Sequence, residues 1–260
     1  MMDNSAPRSL KHDYDLFVEN EIETYKDSIS RTVLLKIGDE AVASLENQAQ
    51  FAMNELLLCD EVDKIIRKRK RIPTYATWRK HELKRRAEQE EFRRPEHWGV
   101  SSESALAREF RPQPESHVLV AGADGANAAR YLAAQGCSVT AITSETDDVG
   151  KLDPEDEKLL AGRIESVPIG LMEWAPDELL SAVVLTPAAF AGLKAAERSK
   201  VFAILQSATR DGGVHLVDTL IQNHAEPSLS ELKRNYKGWT ISVVDKGTSA
   251  RSFVARKEVA

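Results

Sequence analysis

The residues best placed for chemistry lie in Val118–Gly136, VLVAGADGANAARYLAAQG. An apolar run that stops at Gly122 and gives way to small residues reads as strand, sharp turn and helix. Glycine lets the backbone leave the strand abruptly, and the helix N-terminus that follows turns unpaired N–H groups toward an anionic or carboxylate-bearing ligand. A nucleotide-sized ligand would therefore sit over the carboxyl edge of a sheet. A second concentration is basic: Arg67, Lys68, Arg69, Lys70, Arg71, Arg79, Lys80, Lys84, Arg85 and Arg86 crowd one stretch, which attracts phosphate-rich partners. Glu82, Glu88, Glu90 and Glu91 are interleaved with its second half, and pairing at i to i+4 spacing would neutralise much of it. A solvated helix face and a nucleic-acid contact through Arg67–Arg71 are the two readings. Cys59 and Cys137 read as packing residues, since no CxxC spacing accompanies them. The six histidines show no ligand spacing, so no metal is expected. Asp147, Asp148, Asp153, Glu155, Asp156 and Glu157 form an acidic loop read as a solvated connection.

The elements that must position these residues differ between the two parts of the chain. From Tyr14 to Asp60 apolar residues recur at three-to-four spacing, a helical pattern with a break expected at Gly38-Asp39. Val62, Ile65 and Ile66 carry a helix to Pro73, and Thr74 is placed to cap another over Tyr75 to Phe92. Ser101 or Ser102 would cap a short helix, Glu103 to Phe110, before Pro112 and Pro114 mark a linker. Short apolar runs then alternate with helical segments, the texture of parallel βαβ units. Strands are expected at 117–121, 138–142, 164–169, 179–185 and 214–218, with Asp211-Gly212-Gly213 as a turn. Helices are expected at 126–135, 190–209 and 229–236, and a closing hairpin at 239–244 and 252–255. The division drawn is a helical arm over 1–112, with its basic segment at 67–86, and an α/β domain over 113–260.

With 260 residues, a net charge of −6 and 42% hydrophobic residues, the chain has the composition of a globular protein with room for two modest domains. Neither part is basic as a whole. No stretch reaches the roughly 20 apolar residues of a membrane span, the first residues lack a secretory pattern, and two cysteines suit a reducing compartment, so a cytoplasmic setting is expected.

The α/β part resembles class I S-adenosylmethionine-dependent methyltransferases, in particular the small-molecule type similar to tellurite-resistance methyltransferases. The resemblance rests on VLVAGADGANAARYLAAQGCSVTAI, the apolar fourth strand, RDGGVHLVD and the final WTISVVDKGTSARSFVARK. It implies a Rossmann-like sheet, parallel with a C-terminal antiparallel hairpin, and S-adenosylmethionine as cofactor. The family's acidic-x-Gly-x-Gly-x-Gly signature falls on Val120, Gly122, Asp124 and Ala126, of which Gly122 alone matches. Its ribose-binding acid falls on Thr143, with Glu145 two residues on, and its adenine-side acid near Gly170. Implied cofactor contacts are Gly122, Ala123, Asp124, Gly125, Thr143, Glu145, Leu171, Met172 and Thr186. Implied acceptor-side residues are His215, Asp218 and His224, with Tyr14, Phe17, Trp78 and Trp98 as aromatics of a helical lid. Each has a plainer reading as a strand end or a packing residue.

Three functions follow from these readings. The first is a methyltransferase-like protein, active on an unidentified acceptor or descended from an active one. The second is a non-catalytic binding or regulatory protein whose basic arm contacts a protein or nucleic acid. The third treats Gly122-x-x-Gly125-x-x-Ala128 as a nicotinamide-binding turn like that of short-chain reductases, against which stands the lack of a Tyr-x-x-x-Lys pair: Tyr131 and Tyr236 precede Gln135 and Thr240 at that spacing. A homodimer is compatible with all three.

Overall fold

The computed structural model describes residues 9–45, 55–142, 160–220, 227–246 and 250–259. It divides into two compact units, Met1–Ala87 and Glu88–Ala260, with the division inside one helix.

The first unit is helical, with α1 at Leu10–Ser28, α2 at Arg31–Leu45, α3 at Glu55–Lys70 and the start of α4, Tyr75–Phe92. Ser9 caps α1, its hydroxyl accepting from the His12 N–H at 3.2 Å. The expected break at Gly38-Asp39 is absent, because α2 runs through both residues and the chain interrupts at Ile29-Ser30 instead. A mid-helix glycine costs about 1 kcal/mol, and the complete burial of Ile37 and Ala41 on either side outweighs it. Arg71 takes a left-handed conformation (φ 54°) after α3, ahead of Pro73. Val18, Ile22, Ile37 and Ile66 form the core. No described helix is long and apolar enough to cross a membrane.

The second unit is built on a seven-stranded sheet. In chain order its strands are β1 His117–Ala121, β2 Ser138–Ile142, β3 Arg163–Val167, β4 Leu180–Leu185, β5 Thr209–Leu220, β6 Thr240–Lys246 and β7 Ala250–Arg256, and their spatial order is 3-2-1-4-5-7-6. β1 to β5 pair in parallel, while β7 is antiparallel to both β5 and β6. This is the α/β sheet with an antiparallel C-terminal hairpin that the family resemblance implies. The chain reverses direction across the sheet between β1 and β4, the position where open α/β sheets form a crevice.

Strand alternation assigns the two faces. Val118, Val120, Val184 and Leu216 face α6 (Ala126–Ala134) together with Phe92, Trp98, Leu106 and Phe110. Residues 93–112, read from the sequence as the end of the arm, thus supply core side chains to the second unit. Within them Ser104, rather than Ser101 or Ser102, caps α5, Ala105–Glu109. Leu119, Val183, Leu185 and Val217 face the other way, against Phe202, Leu205, Leu232 and Tyr236 of α7 (Ala195–Ser207), α8 (Leu229–Asn235) and the turn after it.

β5 departs from expectation. Asp211-Gly212-Gly213 is not a turn before the strand but lies within it, and pairing with β4 passes from Leu180↔Thr209 to Ala182↔Val214. The surplus residues form a bulge, with Gly212 at φ 74° and a side chain at Gly213 excluded by Thr209 and the Arg210 carbonyl.

Candidate functional site

Gly122 leaves β1 with φ 106°, and a short 3-10 turn, Ala123–Gly125, leads into α6. The glycine is required by close packing. A Cβ there would stand 2.1 Å from Thr186 Oγ1 and 2.7 Å from the Ala189 nitrogen. Thr186, the residue after β4, closes the crevice between β1 and β4: its hydroxyl donates to Asp124 Oδ1 (2.7 Å) and lies 3.2 Å from the Ala121 carbonyl. Gly125 is likewise fixed by the sheet, since a Cβ there would meet Val120 at 2.7 Å.

The open space lies beside this lock, on the α6 side of the sheet. A cleft of about 590 Å³ is bounded by Asp124 and Asn127 at the start of α6, by Thr186, Leu216 and Asp218 at the carboxyl ends of β4 and β5, and by the segment from Gly99 to Leu106 as cover. That volume falls within the range of small-molecule sites. The cover is shaped locally: Trp98 is buried and its indole N–H donates to the Phe92 carbonyl at 2.9 Å, and Gly99 takes φ 69° close against Asn127.

The cleft is acidic. Glu103, Asp124, Asp218 and Asp245 line it, and among the described residues no Lys, Arg or His does. Each carboxylate is held by a neighbour: Asp124 by Thr186, Asp218 by the Ser252 hydroxyl (2.5 Å), Asp245 by Arg251 (2.9 Å) and Glu103 by Arg108 (3.2 Å). Such lining favours a cationic head on the ligand and disfavours phosphate.

The sequence-predicted residues therefore separate. Asp124, Thr186 and Asp218 meet at the cleft, with Gly122, Ala123 and Gly125 shaping its turn. Leu171 and Met172 do not line it, because the chain after β3 turns their side chains into the core beneath α7 and α8. Trp98 is a core residue packed edge-on against Phe92. Tyr14, Phe17 and Trp78 cluster with Tyr75 inside the first unit. Thr143, Glu145, His224 and the acidic loop from Asp147 to Glu157 lie outside the described residues.

His215 is withdrawn from the site altogether. It lies on the opposite face of β5, fully buried, with Nε2 2.7 Å from Thr209 Oγ1 and Nδ1 2.7 Å from the Tyr236 hydroxyl. Thr209 commits its own proton to the Leu205 carbonyl at 2.6 Å. The ring must then donate from Nε2 and accept at Nδ1 from Tyr236, a neutral and fully satisfied histidine. Burial, reinforced by the charge of Lys257, lowers its pKa to about 3, and burial raises that of the Tyr236 phenol. Neither group can exchange protons near neutral pH.

In the basic stretch, Arg69 pairs with Glu40, Lys70 with Glu21 (3.5 Å), Arg85 and Arg86 with Glu82, and Arg86 also with Asp13 (2.9 Å). Hydrogen bonds from Arg85 and then Arg86 pull the Glu82 carboxyl down to about 2. Cys137 is buried, with its thiol pushed up to about 11 by burial. Cys59 is exposed, contrary to its expected packing role, although it shares the helix face of Val62 and Ile66.

Sequence reasoning missed Glu103, Asn127 and Asp245. Asp245 sits near the end of β6, opposite Arg251 of β7, and reaches the cleft because β6, across β7 from β5, runs the same way as β5 and ends at the same edge of the sheet. The hairpin was legible, but its first strand was expected to end at residue 244, one short of Asp245.

No family model matches the chain, and no curated protein matches its sequence. Among solved structures, the N-methyltransferase NodS from Bradyrhizobium japonicum WM9 is similar over 56% of this chain and 88% of its own, with 13% identity and a TM-score of 0.46. TehB from Haemophilus influenzae is similar over 58% of this chain and 60% of its own (19% identity, TM-score 0.46). Magnesium protoporphyrin IX methyltransferase from Synechocystis PCC 6803 is similar over 56% and 71% (15% identity, TM-score 0.45).

Proposed function

We propose that the second unit binds S-adenosylmethionine in the acidic cleft and acts as a methyltransferase-like protein. The observation that carries this reading is the position and charge of the cleft: it opens over the carboxyl ends of β4 and β5, beside the β1–β4 reversal, and among the described residues it is lined by four carboxylates, of which Asp124 and Asp218 are held by hydroxyls rather than by arginines. That donor set fits a ligand bearing an ammonium and a sulfonium. It is a poor host for the pyrophosphate of a nicotinamide dinucleotide, which argues against the reductase reading.

When bound, S-adenosylmethionine supplies an electrophilic methyl group that needs no acid or base on the leaving side. The residues present have three tasks. Asp124, oriented by Thr186, and Asp218, oriented by Ser252, hold positive charge at the sheet rim. Asn127, at the start of α6, offers a neutral donor and acceptor. The Gly99–Leu106 segment covers the space and excludes water, so that an acceptor is positioned for in-line attack.

A second reading, a scaffold that binds partners without catalysis, is favoured by one observation: Asp124 is already engaged by Thr186, and Gly170 stands where the resemblance would place a second carboxylate. Calorimetry on the full chain separates the two. Saturable 1:1 heat with S-adenosylmethionine and its demethylated product, and none with NADPH, supports cofactor binding. Silence with all three supports the scaffold.

A further inference from the structure

The sheet has a second cavity at its other end, and its chemistry is the reverse of the cleft's. About 440 Å³ in volume, it is lined by Arg108, Arg111, Arg210 and Arg256, with Glu109 as the sole carboxylate among the described residues and Ser181 beside them. The arginines come from four places in the chain. Arg108 is in the last turn of α5, Arg111 follows three residues later, Arg210 is the second residue of β5 and Arg256 ends β7. They converge because β5 and β7 run antiparallel, which brings the end of one to the beginning of the other. The two cavities approach each other along the sheet: Val214 of β5 lines this one and Leu216 the cleft.

Neutralisation of this cluster is slight. Arg108 faces Glu103 at 3.2 Å, both exposed. Arg256 donates to the backbone carbonyls of Glu109 (3.0 Å) and Gly212 (3.4 Å), contacts that aim the guanidinium without cancelling its charge. The nearby carboxylate of Asp211 is turned to Lys257 at 3.7 Å. Among the described residues no carboxylate pairs with Arg111, Arg210 or Arg256. Four like charges gathered around one cavity, in a chain of net charge −6, repel one another and are relieved by an anion.

We propose that this cavity is a binding site for a soluble small molecule carrying linked phosphates, a di- or triphosphate. Planar guanidinium forks match tetrahedral phosphate oxygens two at a time, and four forks around 440 Å³ exceed what one phosphate can engage. The Ser181 hydroxyl adds a further polar contact. Among the described residues the one aromatic that lines it, Phe110, is buried in the core, so recognition falls on the phosphates rather than on a stacked base. This assignment is independent of the cleft and of the methyltransferase reading.

The test is a calorimetric titration of the full chain with inorganic tripolyphosphate and pyrophosphate, at low and at physiological salt. Expected are 1:1 saturation, weakening with salt, and a Kd at least tenfold higher for Arg111→Ala/Arg210→Ala. Arg111→Lys/Arg210→Lys, which keeps charge but loses the forks, should bind between the two and controls for folding. Arg79→Ala/Lys80→Ala, in the basic stretch of α4, should match the unmodified chain. The proposal is overturned by absence of saturable heat, by equal affinity for citrate, by an unchanged Kd in the Ala pair, or by a loss in the α4 variant as large as that in the cavity variant.

Discussion

His215 and Asp218 lie three residues apart on β5, and the sequence offers both as groups able to act on a substrate. The structure sends them to opposite faces. His215 is fully buried under Tyr236 with both ring nitrogens bonded, whereas Asp218 reaches the cleft with Ser252 as a partner. Strand parity decides which residue can meet a ligand, and one face of this sheet is structural while the other presents a site. Substitutions on the two faces should therefore behave differently.

The largest effect is expected on the structural face. Arg198 of α7 and Glu231 of α8 form a two-pronged buried pair (3.0 and 2.8 Å), and Arg198 also donates to the Leu193 carbonyl at 2.8 Å. Glu231→Ala strands the guanidinium and should lower stability by about 3–5 kcal/mol in denaturant melts, without a specific change in ligand affinity at the cleft under conditions where the variant remains folded.

Next comes His215→Leu, which leaves the Tyr236 hydroxyl without its acceptor while Thr209 keeps its bond to Leu205, and should cost about 1–3 kcal/mol for the buried phenol left unsatisfied. The pH dependence sharpens the contrast. Because the folded-state pKa of His215 is lowered to about 3, the unfolded chain binds the proton more readily. The stability gained by keeping the ring neutral is complete above pH about 6.5 and drains away as pH falls toward 3, at no more than about 1.4 kcal/mol per pH unit. In His215→Leu that part of the acid slope should vanish; an identical slope in both proteins would show that the ring titrates normally.

Thr186→Val removes the hydrogen bond to Asp124 and should cost about 0.5–1.5 kcal/mol, while freeing that carboxylate for a ligand. Tighter binding of a sulfonium cofactor by this variant would identify the lock as inhibitory, and weaker binding would identify it as an orienting contact.

The smallest stability effect is expected on the cleft face itself. Asp218→Asn keeps an acceptor oxygen for Ser252, so its unfolding should stay within about 0.5 kcal/mol of the parent. A drop of several kcal/mol would place Asp218 with His215 among structural residues and erase the distinction between the faces.

Much of the fold was legible because its signals are local. The strands at 117–121 and 138–142 and the helix Tyr75–Phe92 are bounded by glycine, proline and caps that act within a few residues. The errors arose where distant packing overruled local preference, as when Gly38 stayed helical between two buried side chains, or when Gly212-Gly213 became a bulge inside β5. The site was only half legible. Asp124, Thr186 and Asp218 follow from the rule that ligands meet the carboxyl ends of parallel strands, but Glu103 and Asp245 arrive from a cover segment and an edge hairpin whose positions depend on tertiary pairing. The arginine cavity left no sequence signal, since its four members are scattered over nearly 150 residues.

The central claim is that the acidic rim cleft holds the sulfonium cofactor. Equilibrium dialysis of methyl-labelled S-adenosylmethionine against the full chain and against Asp218→Asn/Asp245→Asn tests it most directly. One saturable site per chain, with affinity at least tenfold weaker in the double variant at unchanged thermal stability, is the expected result. Label that is not retained, or is retained equally by both proteins, would contradict it.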